Sequence, residues 1–267
     1  MTTAIELFQS GKLSAALAVA TEAVRNQPSD IVARSQLSEL LCFTGDLERA
    51  DKQLDAAMQI DTEAAVGVSL LRHLIRSEKS RREVFSEGRV PEFLQQPTDA
   101  QQSRLKAVLN LRDGNLPNAA ELVATALESE SQVSGDSDGR PFEGMTDLDD
   151  LLGPTIEIYT ATGKYYWLSV EQVISIDFSP IEHLSDMLWR AAQIETVGEV
   201  SGRIHIPALY HNSYESDDDR IRIGQATDWI QRHESLTSGI GQREWLLGDD
   251  VATITSLKSV SFQLAVE

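Results

Sequence analysis

The sequence has few of the patterns that mark secreted, membrane or disulfide-bonded proteins. A single cysteine, Cys42, excludes an internal disulfide. No apolar run approaches the roughly 20 residues that a membrane span requires. The N-terminus lacks the basic region and apolar core of a secretory signal. These absences predict a cytoplasmic protein with no membrane segment.

Motifs for catalysis and metal binding are also missing. The sequence contains no HExxH motif, no paired cysteines and no phosphate-binding Gly-x-x-x-x-Gly-Lys-Ser/Thr loop. His205 and His211 could be combined with the aspartates at 217–219 into a metal cluster, but those aspartates are typical of a solvated turn. We therefore expect no catalytic residue, no metal and no cofactor.

Basic residues are scarce. The chain holds 23 Lys and Arg against 42 Asp and Glu, a net charge of −19. The excess is concentrated in residues 131–267, with 9 basic and 23 acidic side chains. Such a field repels phosphate backbones, so we expect no nucleic-acid partner.

A six-residue pattern recurs in the first half of the chain. Gly11-Lys-Leu-Ser-Ala-Ala is followed 34 residues later by Gly45-Asp-Leu-Glu-Arg-Ala, and after another 69 by Gly114-Asn-Leu-Pro-Asn-Ala. The period resembles that of tetratricopeptide (TPR) repeats, which are helical pairs of about 34 residues. Residues 1–130 are therefore predicted to form four helical pairs. The third is expected to be distorted, because its short second helix, 81–87, is followed by Gly88 and Pro91.

Helical arrays of this kind curve and offer a concave surface to ligands. In TPR proteins the first helix of each pair lines that surface. Its apolar and basic side chains here would suit an amphipathic helix or an acidic peptide, although they could also form an ordinary solvated face. The candidate groove residues are Glu39, Phe43, Val66, His73, Arg76, Arg104, Val108 and Arg112.

The second half is predicted to form mainly β-strands, which follow an acidic Ser/Gly linker over 131–146. Thr155–Thr160 and Tyr165–Val170 predict a β-hairpin, and further strands are expected at Gln172–Phe178, Gly202–Tyr210 and Arg220–Gly224. A helix is expected at Ile181–Ala192. The fold class is thus α+β, with a TPR-like array over 1–130 and a smaller β-rich domain of antiparallel strands over 147–267. Its core anchors are predicted to be Trp167, Trp189, Trp229 and Trp245.

Several short motifs of this half resemble the ImpE/TagJ family, accessory proteins of the bacterial type VI secretion system. They are Asp-Leu-Leu-Gly-Pro from Asp150, Tyr165-Tyr-Trp, Leu188-Trp-Arg, Pro207-Ala-Leu-Tyr, Gly224-Gln-Ala-Thr-Asp-Trp and Gly241-Gln-Arg-Glu-Trp. The resemblance implies a non-enzymatic adaptor. Its partners would be an N-terminal helix of the small sheath subunit, TssB/VipA, and the ClpV ATPase that recycles the contracted sheath.

The last two motifs supply a second candidate surface, formed by Asp228, Gln242, Arg243 and Trp245. Two interpretations stay open for these side chains: a second contact surface, or a buried hydrogen-bond network that fixes the loops. For the whole chain, the alternatives to a sheath adaptor are a TPR scaffold serving another cytoplasmic complex and an unrecognised hydrolase in the second half.

Overall fold

The first half of the protein is built from antiparallel helices. The coordinates are a computed structural model, and residues 2–61, 65–198 and 200–263 are described. Within these ranges the helices of this half pack in chain order, and a short eighth helix lies in the second half. The helices are α1 (Ala4–Gln9), α2 (Leu13–Asn26), α3 (Ile31–Phe43), α4 (Leu47–Ile60), α5 (Ala65–Glu87), α6 (Asp99–Arg112), α7 (Leu116–Glu128) and α8 (Asp219–Arg222).

The repeated glycines end the first helix of a pair, as the sequence pattern predicts. Gly11, Gly45 and Gly114 have φ angles of +77°, +78° and +77°, which glycine adopts without the penalty that a Cβ atom brings. The alanines five residues later are fully buried and let the paired helices approach closely. The pairs α1–α2, α3–α4 and α6–α7 follow from this local rule.

The third pair differs from the prediction. Residues 81–87 do not form a separate helix, because they continue α5, which runs for 23 residues. No glycine or proline interrupts the chain between Val68 and Glu87, so nothing breaks the helix there. After Gly88 the chain runs to α6 without a helix, and Glu92 forms a parallel bridge to Tyr166.

The second half is dominated by antiparallel strands. An eight-stranded sheet has the order β2-β1-β13-β6-β7-β8-β4-β5, a three-stranded sheet has the order β12-β11-β3, and β9 pairs with β10. The α+β prediction is thereby confirmed, including the hairpin β4–β5. The strands are β1 (Ser134–Ser137), β2 (Arg140–Glu143), β3 (Met145–Asp147), β4 (Thr155–Thr160), β5 (Tyr165–Ser169), β6 (Val173–Phe178), β7 (Trp189–Thr196), β8 (Ser201–Pro207), β9 (Thr227–His233), β10 (Leu236–Gly241), β11 (Glu244–Leu247), β12 (Asp250–Thr253) and β13 (Ser259–Phe262).

Three local predictions are corrected. Residues 131–146 are not an exposed linker, since they supply β1, β2 and most of β3, and β1 pairs with β13 from the end of the chain. The predicted helix Ile181–Ala192 is a short 3-10 turn at Leu184–Met187 followed by β7, which is fixed between β6 and β8. The predicted strand Arg220–Gly224 is largely α8, which Asp218 caps.

Two hydrophobic cores lie on opposite faces of the large sheet. Along β4, Ile156 and Ile158 point into one core, whereas Tyr159 points to the helices, as strand alternation requires. The core on the helix side includes residues of both halves, among them Leu40, Leu74, Trp167 and Trp189. The helical array and the sheet therefore share one interior. Of the predicted tryptophan anchors, Trp229 is 38% exposed and does not belong to either core.

Among the helices of the described ranges, none combines the length and apolar character needed to cross a lipid bilayer.

Candidate partner-binding clefts

A buried cluster of four charged side chains joins α5 to the sheet. Arg81 donates to both carboxylate oxygens of Glu157, from Nε at 2.8 Å and from Nη2 at 2.9 Å. Arg243 donates from Nη1 to Glu157 Oε2 at 2.9 Å and from Nε to Asp147. All four are at most 3% exposed. Two cations and two anions thus balance in an interior where an unpaired charge would be very costly.

Hydrogen bonds complete this ion cluster, which comprises Arg81, Asp147, Glu157 and Arg243. The Tyr165 hydroxyl donates to Glu157, and Arg81 Nη1 donates to the Leu209 carbonyl at 3.2 Å. Burial alone would raise the pKa of Glu157, but the guanidinium groups of Arg81 and Arg243 outweigh it and lower the pKa to about 2. Glu157 is therefore ionised, whereas burial raises the pKa of Asp147. The cluster joins the two halves of the chain rather than facing a ligand.

The ion cluster decides between the two interpretations of the second candidate surface. Arg243 belongs to the cluster, and Trp245 is fully buried with its ring 6.4 Å from that of Phe178. Gln242 is half-buried and donates to the Thr255 hydroxyl. Only Asp228 of these four residues is exposed. The buried network is thus observed for Arg243, and an open surface built from Arg243 and Trp245 is excluded in this conformation.

The predicted groove of the helical array is largely filled by the chain's own second half. Phe43, Arg104 and Val108 are 1%, 1% and 2% exposed. Arg104 donates to Glu130 and to the Asp150 carbonyl, which ties α6 to the segment after β3. Phe43 and Arg104 therefore belong to the interior instead of lining an open groove, and Val108 is buried at the wall of a cleft described below. Sequence periodicity shows a face of a helix, but it does not show which part of the same chain will cover it.

Two clefts lie where the sheet packs against the helices of the described ranges. Cleft A lies between α3, α5 and the strands β7 and β8, and has a volume of about 690 Å³. Its floor is apolar and its rim is charged. The floor and rim include Leu70, Leu71, Leu74, Trp189, Glu39, Glu182, His183, Asp186, Arg203 and His205.

Glu39 is the groove candidate that reaches cleft A. Its Oε1 accepts hydrogen bonds from the Ser185 backbone N–H at 3.2 Å and hydroxyl at 2.8 Å. Burial raises the pKa of Glu39, although the two hydrogen bonds from Ser185 oppose the shift. On the opposite wall, burial lowers the pKa of His205 to about 4, and its Nδ1 has no hydrogen-bond partner among the described residues. The hydrogen bonds between Glu39 on α3 and Ser185 in the turn before β7 fix the width of the cleft.

Cleft B lies between α6, the start of α7 and the hairpin β9–β10, with a volume of about 430 Å³. Val108 and Arg112 from the predicted groove line it, opposite Ile230 and Arg232. His211 also lines it and stacks on Phe85 with ring centres 4.4 Å apart. Burial lowers the pKa of His211 to about 3, and the neighbouring Arg81 lowers it further, so the ring is neutral.

The remaining groove candidates lie elsewhere. His73 is half-buried and Arg76 is exposed, and both approach Gly163 in the β4–β5 turn. The side chain of Val66 is outside the described residues. The predicted groove is thus divided among cleft A, cleft B, the interior and the outer surface beside the hairpin.

The part of the chain that is described offers no cluster of side chains for a metal ion. No group of three or more His, Cys, Asp or Glu side chains in those ranges could hold a metal ion. The two histidines considered for a metal cluster are separated, since His205 lines cleft A and His211 lines cleft B.

The structure shows charged residues that position the clefts and that the sequence analysis missed, above all Arg81 and Glu157. A signal did exist for Glu157, because a lone carboxylate stands in the apolar strand Thr155–Thr160. Charged residues in such a strand are buried with a partner or face water. The signal could not identify Arg81, which is 76 residues away in the sequence.

The fold defines a structural class: antiparallel helix pairs followed by antiparallel sheets, with clefts between the helices and the strands. A family model described as ImpE protein matches residues 139–261. The type VI secretion system accessory component TagJ of Pseudomonas aeruginosa is 30% identical over 260 residues, which is 97% of this chain and 90% of that protein. The chain belongs to the ImpE/TagJ family.

A solved structure supports the fold over the full length. The X-ray crystal structure of a protein from Vibrio parahaemolyticus matches with a TM-score of 0.91 at 26% sequence identity. The match covers 99% of this chain and 99% of that one. The arrangement of helices and sheet described above is therefore shared with an experimentally determined protein.

Proposed function

We propose that the protein is a non-enzymatic, cytoplasmic adaptor of the type VI secretion system. Its partner is the N-terminal helix of the small sheath subunit, of the TssB/VipA type, and cleft A is the binding site. Membership of the ImpE/TagJ family supports the secretion-system role, since the P. aeruginosa relative is described as an accessory component of that system. The observation that carries the choice of site is the open, apolar-floored cleft A.

The dimensions of cleft A suit one face of a helix. Two turns of helix are about 11 Å long and 10–12 Å across, or roughly 1,000 Å³, so a cleft of about 690 Å³ would enclose more than half of such a segment. Leu70, Leu71 and Trp189 offer an apolar surface to side chains spaced at i, i+3 and i+4. The charged rim then selects the orientation of the helix more than it adds affinity.

Calorimetry with a peptide of the sheath subunit's N-terminal helix tests this proposal. The wild-type protein is expected to bind it with a Kd in the micromolar range or below. Leu71→Glu should weaken binding at least tenfold, because it places a charge on the apolar floor. Val32→Glu is the matched control: Val32 lies on α3, is 77% exposed and does not line the cleft.

Two outcomes would contradict the proposal. Absence of binding by the wild-type protein up to several hundred micromolar would argue against the sheath helix as partner. Full affinity in Leu71→Glu would argue against cleft A. If Arg76→Glu alone weakened binding, the site would be the outer surface beside the β4–β5 turn.

The proposal includes a link to the ClpV ATPase during sheath recycling, which rests on the family resemblance. Sedimentation of the protein with ClpV, with and without the sheath peptide, measures it directly. A complex that requires the peptide would show recruitment through the sheath helix. A complex that forms without the peptide would show direct contact, and absence of both would remove ClpV from the proposal.

A further inference from the structure

Strand β9 is an edge strand whose outward backbone groups have no strand partner in the described ranges. It pairs with β10, opposing Trp229 to Gly239 and Gln231 to Thr237. The N–H groups of Gly239 and Thr237 point away from β9, since they donate to Asp149 and Asp150. Pairs of this type do not exchange hydrogen bonds. The backbone N–H and C=O of Trp229 and Gln231 therefore face outward.

Side chains of the strand itself cap this edge. The Asp228 carboxylate accepts a hydrogen bond from the Trp229 N–H at 2.8 Å, and Gln231 Nε2 donates to the His233 carbonyl. Asp228 and Gln231 are exposed, so their side chains can exchange these bonds for bonds to water at little cost. Exposed strand edges are ready templates for another strand, and a charged residue on the edge is a usual protection. The side chains that protect this edge are thus replaceable.

The edge runs along cleft B. Ile230 and Arg232 extend from β9 into the cleft, on the opposite face of the strand from Trp229, whose ring lies 5.7 Å from that of Tyr210. Across the cleft stand Leu111, Leu116 and Arg112. A strand added to β9 would alternate its side chains between this cleft and the outside.

The charges of the cleft favour a carboxylate. Arg232 donates from Nε to the Ser238 hydroxyl at 2.9 Å, and within the described ranges it has no acidic partner at ion-pair distance. Arg112 forms an ion pair with the adjacent, exposed Asp113. The buried Nδ1 of His211 also has no hydrogen-bond partner among the described residues. Asp149 also lines the cleft, but both of its carboxylate oxygens already accept backbone hydrogen bonds, from Leu151 and Gly239. In a chain of net charge −19, the two arginines thus give the cleft a local excess of positive charge.

We propose that β9 and cleft B form a second docking site, which binds an extended acidic segment of a partner protein by strand addition. The partner's backbone pairs with Trp229 and Gln231, an apolar side chain enters between Leu111 and Ile230, and a carboxylate pairs with Arg232. The site is distinct from cleft A and does not depend on the sheath helix. It would allow one adaptor to hold two different chains.

A display library of random twelve-residue peptides, selected on the full-length protein, tests the site. The selection should enrich peptides that alternate apolar residues with Asp or Glu. A synthesised peptide from that set should change the tryptophan fluorescence of the wild-type protein, and Trp229→Phe should abolish that change. The other three tryptophans are at most 2% exposed, which makes Trp229 the reporter.

Two variants separate backbone pairing from charge. Gln231→Pro removes an outward N–H that β10 does not use, so the hairpin is expected to persist while peptide affinity falls at least tenfold. Arg232→Glu should cause a similar loss. Asp228→Ala should raise affinity, because it frees the Trp229 N–H. Arg140→Glu, which reverses an exposed charge on β2 outside both clefts, is the control and should leave this affinity unchanged.

The proposal fails if the library shows no enrichment of acidic sequences, or if Gln231→Pro and Arg232→Glu bind the selected peptide as the wild type does. Far-UV circular dichroism and unchanged binding of the sheath-helix peptide verify that the variants are folded. A dimer of the free protein that Gln231→Pro dissociates would assign the edge to a second copy of this chain, and would also overturn the proposal.

Discussion

The Arg81 guanidinium on α5 and the Glu157 carboxylate on β4 form a two-point ion pair, with both residues at most 3% exposed. The bonds cross from the helical array to the sheet over 76 residues of sequence. Paired in this planar geometry, arginine and a carboxylate fix orientation as well as distance. This contact sets how the sheet enters the concave face, and thereby the positions of clefts A and B.

Removing the charge of Glu157 should be strongly destabilising. Glu157→Gln leaves the buried guanidiniums of Arg81 and Arg243 without full compensation, which costs about 3–5 kcal/mol of unfolding free energy. Chemical denaturation measures the loss. Glu92→Gln is the matched control, because Glu92 pairs with Lys164 on the surface, where such pairs contribute up to about 1 kcal/mol. If both variants lost the same unfolding free energy, the buried ion pair would contribute no more to stability than the surface pair.

The same carboxylate should make the protein sensitive to acid. The pKa of Glu157 is about 2 in the folded protein, and about 4.3 in an unfolded chain. Because the folded pKa is the lower one, its contribution is complete above about pH 4.3 and is lost as the pH falls towards 2. The difference in unfolding free energy between wild type and Glu157→Gln should therefore shrink below pH 4. A difference that stays constant from pH 6 to 3 would contradict the ionised state.

His211 should add a second acid-sensitive step at higher pH. Its pKa is about 3 when folded and about 6.5 when unfolded, so the unfolded chain takes up the proton first. The stabilisation is present above pH 6.5 and is lost as the pH falls towards 3. His211→Phe keeps an aromatic ring against Phe85 and removes the proton uptake. Its unfolding free energy should fall less than that of the wild type between pH 6.5 and 4; parallel curves would contradict this.

Two turn glycines, Gly45 and Gly114, provide matched substitutions that test the contact between the helices and Tyr214 in the loop after β8. Both Gly45 and Gly114 have positive φ, so alanine at either position costs about 1 kcal/mol. At Gly45 a Cβ atom would also lie 2.4 Å from Tyr214 Cδ2, whereas at Gly114 no atom of the described residues would lie within 4 Å of it. Thermal or chemical unfolding should rank Gly45→Ala clearly below Gly114→Ala. Equal stabilities would mean that Tyr214 moves freely.

Local rules were enough to predict the helical pairs and the β4–β5 hairpin. The glycines at 11, 45 and 114 and the buried alanines after them act within one repeat. The prediction at 81–87 was wrong because the repeat period was given more weight than the unbroken helical sequence. At 131–146 the Ser, Gly and Asp composition indicated a loop, and only pairing with β13, more than 120 residues later, makes it a sheet edge.

The candidate site was harder to predict, because burial by a distant segment is not visible in a local pattern. Phe43, Arg104 and Val108 were assigned to the correct helices but not to the interior. Trp189 was predicted inside a helix, yet it is the first residue of β7 and lines cleft A. Its placement depends on β6 and β8 pairing on either side of it.

The shared interior also restricts how this family can change its length. Open helical arrays tolerate the gain or loss of a unit, since each one touches its neighbours alone. Here an added or deleted helix pair ahead of α5 would leave the Arg81–Glu157 ion pair in place. It would, however, shift the packing of α3 against the turn before β7, where Glu39 accepts a hydrogen bond from Ser185. The contacts of α3 and α5 with the sheet therefore constrain the number of helix pairs that can precede α5.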